Sequence, residues 1–277
     1  MEDNITLKTE SVNFTHAFRG RKTASYDLHC HNFFEIYYFI GGDVQYLIEG
    51  QHFIPEPDSI LLIPKNTFHG VRIDASGRYE RYALHFLADL ISPEYQRTLL
   101  MPFHSEQIYF RVEKRFRFRQ YFDSLMECAQ MDENIRLIAV KSRIEALLSQ
   151  LYFMRHEQKA LAHEGPKDQI VERVLRYINE NITEDISLES IAARFFISKN
   201  YLNTVFRKTI GTTVGKYICF KRATIAQQLI AEGQSAVNSA ISSGFKEYST
   251  FYRSFIKIFG HSPAQARNRN ILEDYFG

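Results

Sequence analysis

The hydrophobic period changes once along this chain, and that change limits the fold more than any other feature. From about residue 26 to 90 the apolar residues are aromatic and β-branched and come in short runs. FFEIYYFI (33–40), VQYLIEG (44–50), the two arms of DSILLIPKNTFHGVRI (58–73) and the alternating RYERYALHFL (78–87) read as strands. Gly41-Gly42 reads as a hairpin turn and EGQH as the next tight turn. Short strands this close together predict a sandwich or barrel. From Glu113 the period becomes helical. Phe118, Tyr121, Phe122, Leu125 and Met126 mark one helix, and Ile138, Ile144, Leu147, Leu148 and Leu151 a second. The two are expected to pack as an antiparallel pair, their spare apolar face either joining two subunits or facing their own core. HEQKALAHEGPKDQ is polar, carries Gly165-Pro166 and reads as a linker. The expectation is a two-domain chain: a β-barrel over 1–112, a helical pair over 113–160, a linker over 161–168 and an all-α domain over 169–277.

At 277 residues and 45% hydrophobic content, both domains can bury a core. No run of eighteen apolar residues offers a membrane span. The opening MEDNITLKTE lacks the basic start and apolar stretch of a signal peptide. Cys30, Cys128 and Cys219 are odd in number and far apart, which suits reduced thiols and a cytoplasmic location. Charge is asymmetric: residues 1–166 carry 19 basic and 22 acidic side chains, residues 167–277 carry 15 and 10. A basic C-terminal domain points to a polyanionic partner. No G-x-S-x-G, P-loop or dinucleotide fingerprint supports an enzyme.

Two motifs carry chemistry. HCHNFFEIYYFIGG places His29 and His31 one residue apart with Glu35 after them, and IPKNTFH adds His69. Imidazoles and a carboxylate at such spacing can hold a divalent metal. Cys30 lies between the histidines, so strand alternation turns it to the other face. In the second half, ISLESIAARFFISKNYLNTVFRKTIG reads as a capped helix, a turn and a second helix, the helix-turn-helix shape. Ser187 and Ser198 are the caps, and Leu202, Val205 and Phe206 face inward. Asn200, Asn203, Thr204 and Arg207 form the opposite, polar face, suited to base edges in a major groove. SAVNSAISSGFKEYSTFYRSFIKIFGHSP repeats the pattern, with Phe251, Phe255 and Phe259 inward and Lys246, Ser249, Thr250, Arg253 and Lys257 outward. GKYICFKRATIAQQLI makes one continuous helix between the two units.

SLESIA, SKNYLNTVFRKTIG, Arg222 and Ala226 in RATIA, and GFKEYSTFYRSFIKIFGHSPAQAR together resemble the DNA-binding domain of the AraC/XylS family of bacterial transcription regulators. The resemblance covers about 100 residues. It implies base contacts from Asn200, Asn203 and Thr204 in the first recognition helix and Tyr248, Ser249 and Arg253 in the second. Lys199, Lys208, Lys246 and Lys257 become phosphate contacts. Three positions depart from the family pattern: Phe196 where glycine is frequent, Ser239 where a large aliphatic residue is usual, and Ala266 in place of an aromatic. The second unit is therefore expected to pack less tightly.

The first half resembles the cupin-type (jelly-roll) sensor domain common in that family. His29, His31, Glu35 and His69 fall on the cupin ligand positions, while Asp58 and Asn66 stand where cupins usually have glycine. The resemblance implies a non-enzymatic, cytoplasmic regulator, activator or repressor. It binds a double-stranded operator, works with RNA polymerase and is a homodimer. Its small-molecule effector, a sugar or related metabolite, sits near the barrel mouth, with candidates His29, His31, Glu35, Tyr37, His69, Arg81 and His85. Metal at His29, His31, Glu35 and His69 is the minority reading, so no cofactor and substoichiometric metal are expected. Two alternatives stay open: a cupin used only as a dimerisation scaffold, and a metal-dependent cupin enzyme fused to a DNA-binding tail.

Overall fold

The computed structural model describes residues 5–74, 77–105, 107–157, 169–267, 269, 271 and 272. The linker expected at 161–168, with Gly165-Pro166, lies outside the described residues.

The first part is built from β1 (Ile5–Lys8), β2 (Val12–Gly20), β3 (Asp27–His29), β4 (Phe34–Gly41), β5 (Val44–Ile48), β6 (Gln51–Phe53), β7 (Ser59–Ile63), β8 (His69–Ile73), β9 (Gly77–Phe86) and β10 (Tyr109–Arg111). Six strands form one sheet in the order β1-β2-β9-β4-β7-β10, and four form a second in the order β3-β8-β5-β6. All the pairings are antiparallel. Strand β4 pairs with β7 and β9, whereas β5 pairs with β6 and β8. Gly41-Gly42 is thus not the hairpin turn expected. It carries the chain from one sheet to the other, a role that needs the same turn-forming residues and leaves the same sequence signal. EGQH is a hairpin: Ile48 faces Gln51 across a two-residue turn of Glu49 and Gly50. Both have positive φ, 44° and 80°, the geometry that matches strand twist. Gly50 adopts it without steric cost.

Residues of β4 alternate between two cores. Tyr37 and Phe39 point between the sheets with Tyr46, Leu61 and Tyr79. Phe34, Ile36 and Tyr38 point outward, under the helices. Burial on both faces explains the almost unbroken apolar run FFEIYYFI. The covering helices are α1 (Pro93–Leu99), α2 (Phe118–Glu127) and α3 (Glu133–Glu157). Phe14, Tyr38 and Tyr82 on the sheet stack with Phe122 on α2, ring centres 5.0 to 6.1 Å apart. On α3, Ile144, Leu147, Leu148, Leu151 and Met154 face this core, while Ile135, Leu137, Ile138 and Phe153 are exposed.

The second part is helical: α4 (Gln169–Glu180), α5 (Leu188–Arg194), α6 (Lys199–Ile210), α7 (Val214–Ala231), α8 (Ala236–Ser242), α9 (Tyr248–Phe259) and α10 (Pro263–Ala266). Ser187 and Ser190 form a reciprocal capping box on α5, and Ser198 accepts the Tyr201 N–H at the start of α6. Leu202 and Phe206 are buried on α6, as are Phe251, Phe255 and Phe259 on α9. The 18 residues of α7 span about 27 Å and join the two helix-turn-helix units.

Three of the departures from the family pattern share a backbone basis. Asp58, Asn66 and Phe196 all have positive φ, at 60°, 57° and 56°. Short polar side chains enter that region routinely, but phenylalanine pays roughly 1–2 kcal/mol to do so. Phe196 is also 95% exposed, so packing recovers nothing. Ser239 is fully buried, and its hydroxyl has no hydrogen-bond partner among the described residues.

Candidate effector site and nucleic-acid interface

Strand pairing gathers the histidines. Residues β3 and β8 place His29 opposite His69, and β4 and β9 place Glu35 opposite His85. His31 follows β3 and is 1% exposed, and Glu35 is 6% exposed. Each of three Nδ1 atoms faces a main-chain carbonyl: His29 to Asp27 at 3.0 Å, His31 to Phe33 at 3.1 Å and His69 to Thr67 at 2.8 Å. A carbonyl only accepts, so each Nδ1 carries the proton and a neutral ring presents a bare lone pair at Nε2. The Nε2 atoms of His31 and His69 lie 3.2 and 3.1 Å from the same oxygen, Glu35 Oε2. His85 Nε2 is 3.4 Å from Oε1.

Burial pushes His29 down to about 4 and His31 down to about 3, so both rings are neutral at pH 7. Burial opposes the charge on Glu35. Attraction to His85 and the contacts with His31, His69 and His85 outweigh that, and hold the carboxyl well below the usual range. The His31 and His69 contacts lower Glu35 only while Nε2 holds a proton; with the proton at Nδ1, each ring aims a lone pair at the carboxylate oxygen. That contact is repulsive until positive charge, a proton or a cation, lies between them. Ligand atoms of His29, His31 and His69 lie within 4.8 Å of one another. Three nitrogens and a carboxylate, each ring oriented through its far nitrogen by a carbonyl, form a donor set that fits a divalent cation.

The other predicted pocket residues lie apart from this cluster. The hydroxyls of Tyr37 and Tyr79 are 2.6 Å apart, the Tyr46 ring is 4.5 Å from that of Tyr37, and Arg81 stands 4.3 Å over Tyr79. Tyr37 is wholly buried among these rings, so its ring has no open face for a sugar in this arrangement. Sequence reading missed Asn13, which lies opposite His85 in the β2–β9 register. It is buried, and its Oδ1 has no partner among the described residues. The alternation of VNFTHAFRG was the available signal.

On the helical domain, Lys199, Asn200, Thr204, Arg207 and Lys208 on α6 are exposed, as are Tyr248, Ser249, Thr250, Arg253 and Lys257 on α9, with Lys246 just before it. Tyr201, also exposed, joins this face of α6. Asn203 is only partly exposed, and its Oδ1 accepts the Val214 N–H at 3.3 Å, tying α6 to the start of α7. Lys199 pairs with Glu189 at 3.1 Å and Lys246 with Asp185 at 2.6 Å. These pairs are exposed and cost little to exchange for phosphate.

The two parts touch at the histidine wall. Leu28, Cys30 and Phe68 alternate with the histidines and point the opposite way, as the parity of Cys30 predicts. They pack into the core of the first helix-turn-helix unit, with Leu202, Phe206, Ile210 and Tyr217. Phe68 meets Tyr217 and Phe220 edge-on at 5.4 and 5.8 Å. Glu49, in the β5–β6 turn, binds three groups. Its Oε1 accepts the Phe68 N–H at 2.8 Å and Lys221 Nζ at 2.7 Å, and its Oε2 accepts the Tyr217 hydroxyl at 2.5 Å. Lys221 is 7% exposed and also donates to the Asn66 carbonyl. Thr224 Oγ1 donates to the Cys30 carbonyl at 3.3 Å.

Residues 11–160 match the family model of AraC-like ligand binding domains, and residues 191–269 match a helix-turn-helix domain model. YdiP, an uncharacterized HTH-type transcriptional regulator of Escherichia coli (strain K12), is 21% identical over 85% of this chain and 78% of its own length. The virulence regulon transcriptional activator VirF of Yersinia enterocolitica is 28% identical over 54% of this chain and 51% of its own. The chain spans about half the length of VirF and of the E. coli (strain K12) protein YkgA. Among solved structures, unsaturated fatty acid bound ToxT from Vibrio cholerae is 13% identical with a TM-score of 0.40, covering 96% of each chain. The ligand-binding match alone spans more than half of the sequence, and the chain belongs to the AraC family of transcriptional regulators.

Proposed function

We propose that this chain is a cytoplasmic, non-enzymatic transcription regulator that binds duplex DNA through α6 and α9 and senses a small molecule at the His29, His31, Glu35, His69 and His85 cluster. One observation carries the DNA reading: α6 and α9, each with its apolar face buried, present polar and basic faces and are joined by the single helix α7. RNA polymerase is the expected partner at a promoter. The exposed Ile135, Leu137, Ile138 and Phe153 on α3 support a homodimer through that helix.

The test is a titration of duplex DNA at several salt concentrations. Each phosphate neutralised contributes a slope of about −0.9 in log affinity against log salt. Arg207→Ala and Arg253→Ala should weaken a duplex selected from a random library by roughly 1–3 kcal/mol each, and unselected DNA less. No binding at low salt would reject the reading. A sugar, the effector implied by the family resemblance, is one arm of a thermal-shift screen with organic acids.

The lone-pair geometry favours a second reading of the sensor, in which the species held by His29, His31, Glu35 and His69 is a divalent cation. Elemental analysis giving about one metal per chain, lost in His69→Ala, supports it. Substoichiometric metal, the expectation from sequence, rejects it.

A further inference from the structure

We infer that the sensor domain is latched onto the first helix-turn-helix unit by Glu49, and that the histidine site controls DNA binding by releasing this latch through a wall one strand thick. The inference rests on reading the histidine cluster as the sensing site.

Three observations converge. First, the site and the interface are two faces of the same residues. His29 and His69 face the cluster, while Leu28, Cys30 and Phe68, their immediate neighbours, are packed among α6 and α7. A backbone movement at His29 or His69 carries these neighbours with it on the opposite face. Interiors are too densely packed to absorb that movement locally.

Second, the polar contact is concentrated in one carboxylate. Glu49 bonds the strand side through the Phe68 N–H and the helix side through Lys221 and Tyr217. Phe68 precedes His69, so the carboxylate that positions this wall is also the one that holds α7. Lys221 is buried, and without Glu49 it is left as an uncompensated charge.

Third, the contacts fall on α6 and α7. Helix α6 carries the first recognition face, and α7 sets where the second one lies. Docking therefore fixes the first unit relative to the sensor, and release frees the two units, held together by α7, to turn onto a duplex. An occupant of the site acts through its different affinity for the docked and released states.

The three cysteines report on this directly. Cys30 is 1% exposed at the interface, and burial raises its thiol to about 11. Cys128 lies in the sheet–helix core of the sensor, and Cys219 is partly exposed on α7. The experiment uses the full chain, iodoacetamide labelling with peptide mass spectrometry, and a random-sequence duplex. In Lys221→Met and in Glu49→Ala, Cys30 should label faster by on the order of a hundredfold, the factor expected when one buried charge pair is lost. Cys128 should stay protected, which shows that the sensor remains folded. DNA affinity should change by roughly 5- to 150-fold in the same variants. His69→Ala, on the far side of the wall, should also accelerate Cys30.

Protection of Cys30 unchanged in both latch variants overturns the latch. Faster Cys30 labelling with unchanged DNA affinity overturns its regulatory role. His69→Ala without effect on Cys30 overturns coupling through the wall. If the wild type binds no duplex at low salt, the DNA-binding reading falls instead, and Cys30 labelling still decides whether the domains are latched.

Discussion

Acid should destabilise this protein steeply below pH 6.5, because burying two neutral histidines links folding to proton release. In the unfolded chain both titrate near 6.5. In the folded one His29 takes its proton near 4 and His31 near 3. Between those limits the unfolded state binds more protons, so stability falls as pH falls, by about 1.4 kcal/mol per pH unit for each histidine. His31 is fully buried and counts in full. The His29 ring reaches the surface, and solvent screening reduces its share. The expected slope is about 1–3 kcal/mol per pH unit, or roughly 2–4 kcal/mol between pH 6.5 and 5, against a total stability of about 5–15 kcal/mol. Glu35 does not offset this. Its folded pKa is depressed, so its contribution is complete above the unfolded value near 4.5 and is lost only as pH falls further. The assay is urea unfolding in EDTA from pH 7 to about pH 5. With no tryptophan in the chain, it is followed by near-ultraviolet circular dichroism of the tyrosines. His31→Gln should flatten the slope by half or more. A wild type equally stable at pH 5 and 6.5, or a His31→Gln variant with the full slope, would refute the assignment of neutral buried rings.

Replacing Phe196 with glycine should raise the melting stability of the helical domain by about 1 kcal/mol by relieving its left-handed backbone, measured by calorimetry; a loss of stability would show that the exposed ring is packed. Ser239→Ala should be neutral or stabilising by up to about 1 kcal/mol, since it removes an unpaired buried hydroxyl; destabilisation in a urea titration would reveal a partner for that hydroxyl. Asn203→Ala should cost about 1 kcal/mol of domain stability through the lost bond to Val214 and weaken selected and random DNA alike, whereas a loss confined to the selected duplex would make it a base reader. Gly244→Ala should destabilise the second unit by roughly 2–4 kcal/mol, because the residue has φ of 92° and a Cβ there would lie 2.8 Å from the Thr183 carbonyl; a normal melt would refute that crowding.

Much of the molecule was legible from the chain alone, wherever local physics decides. The caps Ser187 and Ser198 and the inward phenylalanines of α9 follow from 3.6-residue spacing and satisfied helix ends, which neighbours in sequence settle. The parity rule put Cys30 opposite the histidines. Short-range signals could not say which strands pair. Gly41-Gly42 marks a turn whether the chain reverses within a sheet or crosses to another, and only the packing of β5 against β8 chose. Nor could they find the covered face of Tyr37, which depends on Tyr46 and Tyr79 arriving from other strands. Glu49 is the clearest case. In sequence it is one acid in a turn, and its partners Tyr217 and Lys221 lie 168 and 172 residues away. Its role exists only because folding brings a hairpin of one domain against a helix of the other, where losing Glu49 leaves the buried Lys221 charge uncompensated.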